Sequence, residues 1–212
     1  MHSKPYYYYE PASGHGLAHD PLNAIIGPRP IGWISSLSAN GQRNLAPYSF
    51  FNCFNYHPPI IGFASVGWKD SVANIVETGE FVWNLATRPL AEAMNNSSAS
   101  LPRGEDEFAF AGLTAIPGQK VKAERVAESP VNFECRLTQC IQLQTANREN
   151  LETWLVLGEV VAVHIATHLL DEQGVYQTAA AQPIFRAGGP TAYYGISEQH
   201  RFDLVRPDVR KS

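Results

Sequence analysis

Two stretches set the pattern of the chain. "VNFECRLTQCIQLQ" (131–144) interleaves apolar and polar residues, and "TWLVLGEVVAVHIATHLL" (153–170) is rich in β-branched ones. Both read as strands, and the polar "TANRENLE" between them makes the pair a long hairpin. An earlier hairpin is predicted from "PIGWISSLS" (Pro30–Ser38) into "QRNLAPYSFFN" (42–52), because Asn40-Gly41 supplies a tight turn. "PIIGFAS" (59–65) and "EFVWNLA" (80–86) are further short strands.

Helical signals are few. In "DSVANIVETGEF" (70–81), Asp70 or Ser71 can cap the start, Val72, Ile75 and Val76 share a face, and Gly79 stops the turn. Arg88-Pro89 opens a second short helix through "LAEAMNNSSA". The first residues, to about Asp20, are aromatic and glycine-rich without a period, and predict an irregular arm packed on the domain. The segment from Gly174 to Ile196 predicts short strands at most. Many short strands with few helices place the chain among β-barrels or sandwiches. At 212 residues, one domain spanning 1–212 is the simplest count, with an N-terminal arm (1–20) and a C-terminal tail (190–212).

Composition narrows the function. A net charge of -4 with no block of like charges gives nucleic acid or an anionic membrane little to bind. The three cysteines, Cys53, Cys135 and Cys140, form no C-x-x-C pair and are an odd number for a disulfide framework, so a reducing, cytoplasmic setting is expected. "WLVLGEVVAVHIA" is too short to span a bilayer and is broken by Glu159 and His164.

Individual residues offer weak chemistry. Lys69 precedes the predicted helix that begins at Asp70-Ser71, and a helix N-terminus with a hydroxyl and an ammonium can seat a phosphate. The same residues equally describe a capped surface helix with a solvated lysine. Arg29, between two prolines, is held in one direction and suits an anion or a surface carboxylate. Ser35, Ser36, Ser38 and Ser49 put hydroxyls on two adjacent strands, facing either a ligand or solvent. His164 and His168 lack the third ligand a metal needs, and no metal is expected. No Walker loop, G-x-S-x-G elbow or G-x-G-x-x-G is present.

The order of these weak signals is more specific than any one of them. "GPRPIGWISSLSANGQRNLAPYSFFNCFNYHPP" followed by "WKDSVANIVETGEFVWNLA" closely resembles the flavin reductase-like family of FMN-binding split barrels. The resemblance implies a six-stranded split β-barrel that forms a homodimer and binds FMN near the subunit boundary. By position, Ser35, Ser36, Ser49 and Phe50 would surround the ribityl-phosphate chain. Asn44, Ala46 and Pro47 would meet the polar edge of the ring, and Lys69, Asp70 and Ser71 the phosphate, with Arg29 as a further contact. It implies hydride transfer from NAD(P)H to flavin, a reaction in which the cofactor carries the chemistry and no catalytic side chain is required. The alternative is a non-enzymatic FMN-binding electron carrier that accepts electrons from a partner protein. His57 and His200 are candidates for the pocket mouth but read better as surface histidines.

Overall fold

The computed structural model describes residues 5–102 and 104–207. After a helical turn α1 (Leu22–Ile25), the strands are β1 (Arg29–Pro30), β2 (Gly32–Leu37), β3 (Arg43–Tyr48), β4 (Phe51–Tyr56) and β5 (Pro59–Val66). Helix α2 (Asp70–Thr78), strand β6 (Glu80–Asn84) and helices α3 (Ala91–Asn96) and α4 (Glu107–Phe110) follow. A small ribbon, β7 (Ala115–Ile116) and β8 (Arg125–Val126), precedes the long hairpin β9 (Val131–Gln144) and β10 (Asn150–Ile165). Last come β11 (Ile184–Arg186) and β12 (Tyr193–Gly195).

Seven antiparallel strands form one sheet in the order β3-β2-β6-β9-β10-β5-β4, with β1, β11 and β12 in a separate small sheet. This is the split barrel of the sequence expectation with one more strand. The run "QRNLAPYSFFN", expected as one arm of a hairpin, bends at Ser49–Phe50 and becomes β3 and β4. Pro47 sits on β3 at the sheet edge, where its missing N–H breaks no ladder.

The barrel closes on Ile34, Phe63, Phe81, Cys135 and Val156, and α2 inserts Val72 and Ile75 into the same cluster. Val76, expected on that face, is instead 44% exposed. Gly79 adopts a left-handed conformation (φ 75°) and ends α2, as only glycine does without strain. On the outer face of β2 and β3, Trp33 and Leu45 pack with Met94 of α3, Phe108 of α4 and Ile184. β2 is therefore buried on both sides.

Amides cross this interior. Asn84 Nδ2 donates to the Trp33 carbonyl and to Ser35 Oγ, while Asn84 Oδ1 accepts from Val126 N–H and Asn132 Nδ2. Asn132 Oδ1 in turn accepts from Arg125 Nη1. A buried carboxylate, Glu134, accepts from the backbone N–H groups of Gln119, Lys120 and Val121 and contacts His164 Nε2. Burial pushes its pKa up, but the three N–H donors and His164 outweigh that and hold it at about 2.

The N-terminal arm departs from the expected packing. Tyr6, Tyr7 and Tyr8 are exposed, and their hydroxyl contacts stay within the arm, from Tyr7 to the His15 carbonyl and from Tyr8 to Glu10. No helix among the described residues is long and apolar enough to cross a membrane.

Candidate functional site

A cleft of ≈ 540 Å³ opens where the β3–β4 corner, the start of α2 and the turn after α3 converge. That volume suits a small-molecule ligand. Eight of the residues expected from sequence line it: Asn44, Ala46, Pro47, Ser49, Phe50, Lys69, Asp70 and Ser71. They meet because β3 is antiparallel to β2 at the sheet edge, while β5 delivers the chain to the start of α2 beside it.

The helix start has the chemistry of an anion seat. Lys69, not Asp70 or Ser71, is the residue preceding the first helical turn, and no side chain caps it. The first bond from the helix back to this residue is from Ala73 N–H to the Lys69 carbonyl, so the Ser71 and Val72 N–H groups have no protein acceptor among the described residues. Ser71 Oγ accepts from Asn44 Nδ2 at 2.7 Å, which fixes the oxygen and leaves its proton to be donated. Asn74, one turn on, donates to Ser36 Oγ and ties the helix to the barrel.

Two further groups face the cleft without having been anticipated. Among the described residues the buried Tyr48 hydroxyl makes no hydrogen bond of good geometry, although the Ser71 and Ser65 hydroxyls lie near it; its ring centre lies 4.4 Å from that of Phe63, and burial raises its pKa. Glu107, half-buried, accepts from Leu45 N–H; burial pushes its pKa up, and the nearby acids Asp106 and Asp70 add to the rise. The far wall is the turn Ser97–Leu101, carrying Ser97, Ser98 and Ser100. Ser97 is held by the core: Trp33 Nε1 donates to its Oγ, which donates to the Met94 carbonyl. The only sequence signal for this wall was the small polar cluster "NNSSAS" at a helix end, and nothing local says that it reaches β3.

Three expected residues lie outside the cleft lining. Ser35 Oγ donates to the Glu124 carbonyl and accepts from Asn84, and Ser36 Oγ accepts from Asn74. Both serines are buried by the layers on either side of β2, so their hydroxyls serve the fold. Arg29 is also buried; its Nε donates to the Ser49 carbonyl and its Nη1 to that of Asn23, and its guanidinium lies 5.5 Å from the Phe50 ring centre. Burial, then the neighbouring Arg186, lowers its pKa. Arg29 thus braces the Ser49–Phe50 corner from behind. His57 and His200 are exposed and do not line the cleft. Among the described residues no three His, Cys, Asp or Glu side chains are grouped to hold a metal ion.

Residues 27–184 match the model of the flavin reductase like domain. The chain belongs to the flavin reductase-like family. A relative in Halalkalibacterium halodurans, the uncharacterized protein BH2278, is 35% identical over 198 residues, covering 90% of this chain and 91% of the relative. Nitrilotriacetate monooxygenase component B from Bacillus cereus superposes with a TM-score of 0.81 at 30% identity, over 96% of this chain and 98% of that one. The 2-nitrobenzoate 2-nitroreductase NbaA of Pseudomonas fluorescens gives 0.76 at 30% identity, over 89% of each chain. Family and fold together make this flavin reductase-like chain a flavin-related oxidoreductase.

Proposed function

We propose that the protein is a homodimer that binds FMN in this cleft and takes a hydride onto it from NAD(P)H. One observation carries the reading: an uncapped helix start, with Lys69 and the Ser71 hydroxyl beside it, opens into a cleft that also presents the apolar side chains of Pro47, Phe50 and Val66. The residues fit the cofactor in chemistry. Ser71 and Val72 N–H, Ser71 Oγ–H and Lys69 Nζ form a donor set for a phosphate dianion. Pro47, Phe50 and Val66 offer apolar surface to a flat ring.

When bound, FMN would supply the redox chemistry, as acceptor and donor of the hydride. The chain's own part is binding and orientation. Lys69 and the start of α2 hold the phosphate, Arg29 fixes the β3–β4 corner, and Trp33 through Ser97 fixes the opposite wall. A monooxygenase component and a nitroreductase among the similar structures support an oxidoreductase role over simple flavin storage.

The test is direct. The purified protein should carry flavin absorbance through gel filtration after loading with FMN, and should bind FMN more tightly than riboflavin. Anaerobic stopped-flow mixing with NADH and with NADPH should bleach that absorbance. Reduction by neither nucleotide refutes the hydride step and leaves the electron-carrier alternative in its place.

A further inference from the structure

After the single turn at Glu198–His200 the chain leaves the barrel, and residues 201–207 form no helix or strand. Among the described residues the backbone of this tail makes one hydrogen bond, from Arg201 N–H to the Glu198 carbonyl. Its ion pairs are local, Arg201 to Glu198 and to Asp203. Yet Phe202, Leu204 and Val205 are apolar and 77%, 86% and 92% exposed. Three such side chains close together in seven residues are unfavourable in water, each forfeiting the gain of burial.

The same molecule has an uncovered apolar groove of ≈ 400 Å³ beside β4, away from the flavin cleft. Phe51, Cys53, Ile61, Val163, Ile165 and Tyr176 are among its walls. β4 is the outermost strand of the sheet, with Phe54 and Tyr56 exposed on it. An edge strand offers backbone groups to an extended segment, although on β4 the Cys53 N–H is taken by Asn52 Oδ1 and the ladder to β5 shifts between Cys53 and Asn55. In an extended tail Phe202 and Leu204 fall on one side, while Val205 shares the other with Arg201 and Asp203, so the first side is the one that would bury.

We infer that the tail of one copy docks in the β4 groove of a second copy. Among the described residues the tail makes no hydrogen bond or ion pair to the groove or barrel of its own chain, and its apolar side chains stay exposed. A two-fold dimer covers tail and groove at once, because each copy gives a tail and receives one. The inference rests on the homodimer proposed above and adds the surface and the segment that form it. It does not depend on flavin.

Cys53, exposed in the groove, provides a reporter. Leu204→Cys in the full-length protein, treated with a short bismaleimide, should give a covalent dimer on denaturing electrophoresis. Adding Cys53→Ser should abolish that product. Leu204→Asp should weaken self-association by about tenfold or more. Suppose the protein is dimeric by light scattering, but none of Phe202→Cys, Leu204→Cys or Val205→Cys gives a Cys53-dependent dimer. The tail exchange is then overturned and the homodimer stands. A link within one chain, seen as a monomer of altered mobility, overturns it too. A monomeric protein overturns both readings.

Discussion

Lys69→Ala is the sharpest probe of the cleft, because its effect on the ligand can be separated from its effect on the fold. The Lys69 side chain is exposed and makes no hydrogen bond or ion pair among the described residues, so flavin-free stability should hardly change. Ser71→Ala is the less clean choice. It removes the acceptor of the buried Asn44 amide and would cost about 1–3 kcal/mol of stability for that stranded donor. A charge-assisted bond to a phosphate contributes about 1.5–3 kcal/mol, and solvent at Lys69 places it at the lower end. About 1.5 kcal/mol corresponds to roughly tenfold weaker FMN binding. Titration by flavin fluorescence should show that loss for FMN and almost none for riboflavin, which has no phosphate. The FMN deficit should also shrink as salt is raised. Equal proportional losses for the two ligands would refute the phosphate seat, and with it the orientation proposed for the whole cofactor.

Glu134→Gln should destabilise the fold by about 3 kcal/mol in urea unfolding, since a buried carboxylate serving three N–H groups and His164 loses its charge. Because the folded state holds this pKa at about 2, below the ordinary 4.5, its contribution is full above about pH 4.5 and is lost as pH falls toward 2. The variant should therefore show a flatter acid limb, and an unchanged limb would refute the assignment. Gly158→Ala should cost about 1–3 kcal/mol, because its Cβ would stand 2.3 Å from Cε1 of the fully buried Phe81. An unshifted unfolding midpoint would show that the ring can yield.

Regular patterns carried most of the fold. The strands around Asn40-Gly41, the long hairpin and the stop at Gly79 each depend on local chemistry, and each formed where that chemistry predicts. The cleft was less legible. The residues from Asn44 to Phe50 and from Lys69 to Ser71 came from a family resemblance, since no single motif among them is distinctive. Ser35 and Ser36 do not line the cleft, because β2 is covered on both faces by separate clusters, which strand alternation alone does not reveal. Arg29 was rightly expected to point in one direction, but its donors aim at the backbone carbonyls of Ser49 and Asn23. Glu107, Tyr48 and the Ser97–Leu101 turn reach the cleft only through tertiary packing, which leaves no period in the sequence.

The amides of Asn84 and Asn132 have a consequence for how the barrel finds its pairing. They join β2, β6, β9 and the β8 ribbon through donors and acceptors that match in only one alignment. A slip of one residue between β6 and β9 would still bring aliphatic side chains together, so apolar contact alone discriminates poorly against it. The same slip would put the two amides on opposite faces of the sheet, breaking the bond between them and leaving polar atoms in a dry interior without partners, at about 1–3 kcal/mol each. The network therefore acts as a proofreading lock. It adds little to the depth of the native state, but it raises the energy of the nearest wrong ones, and the walls of the cleft inherit their spacing from that rejection.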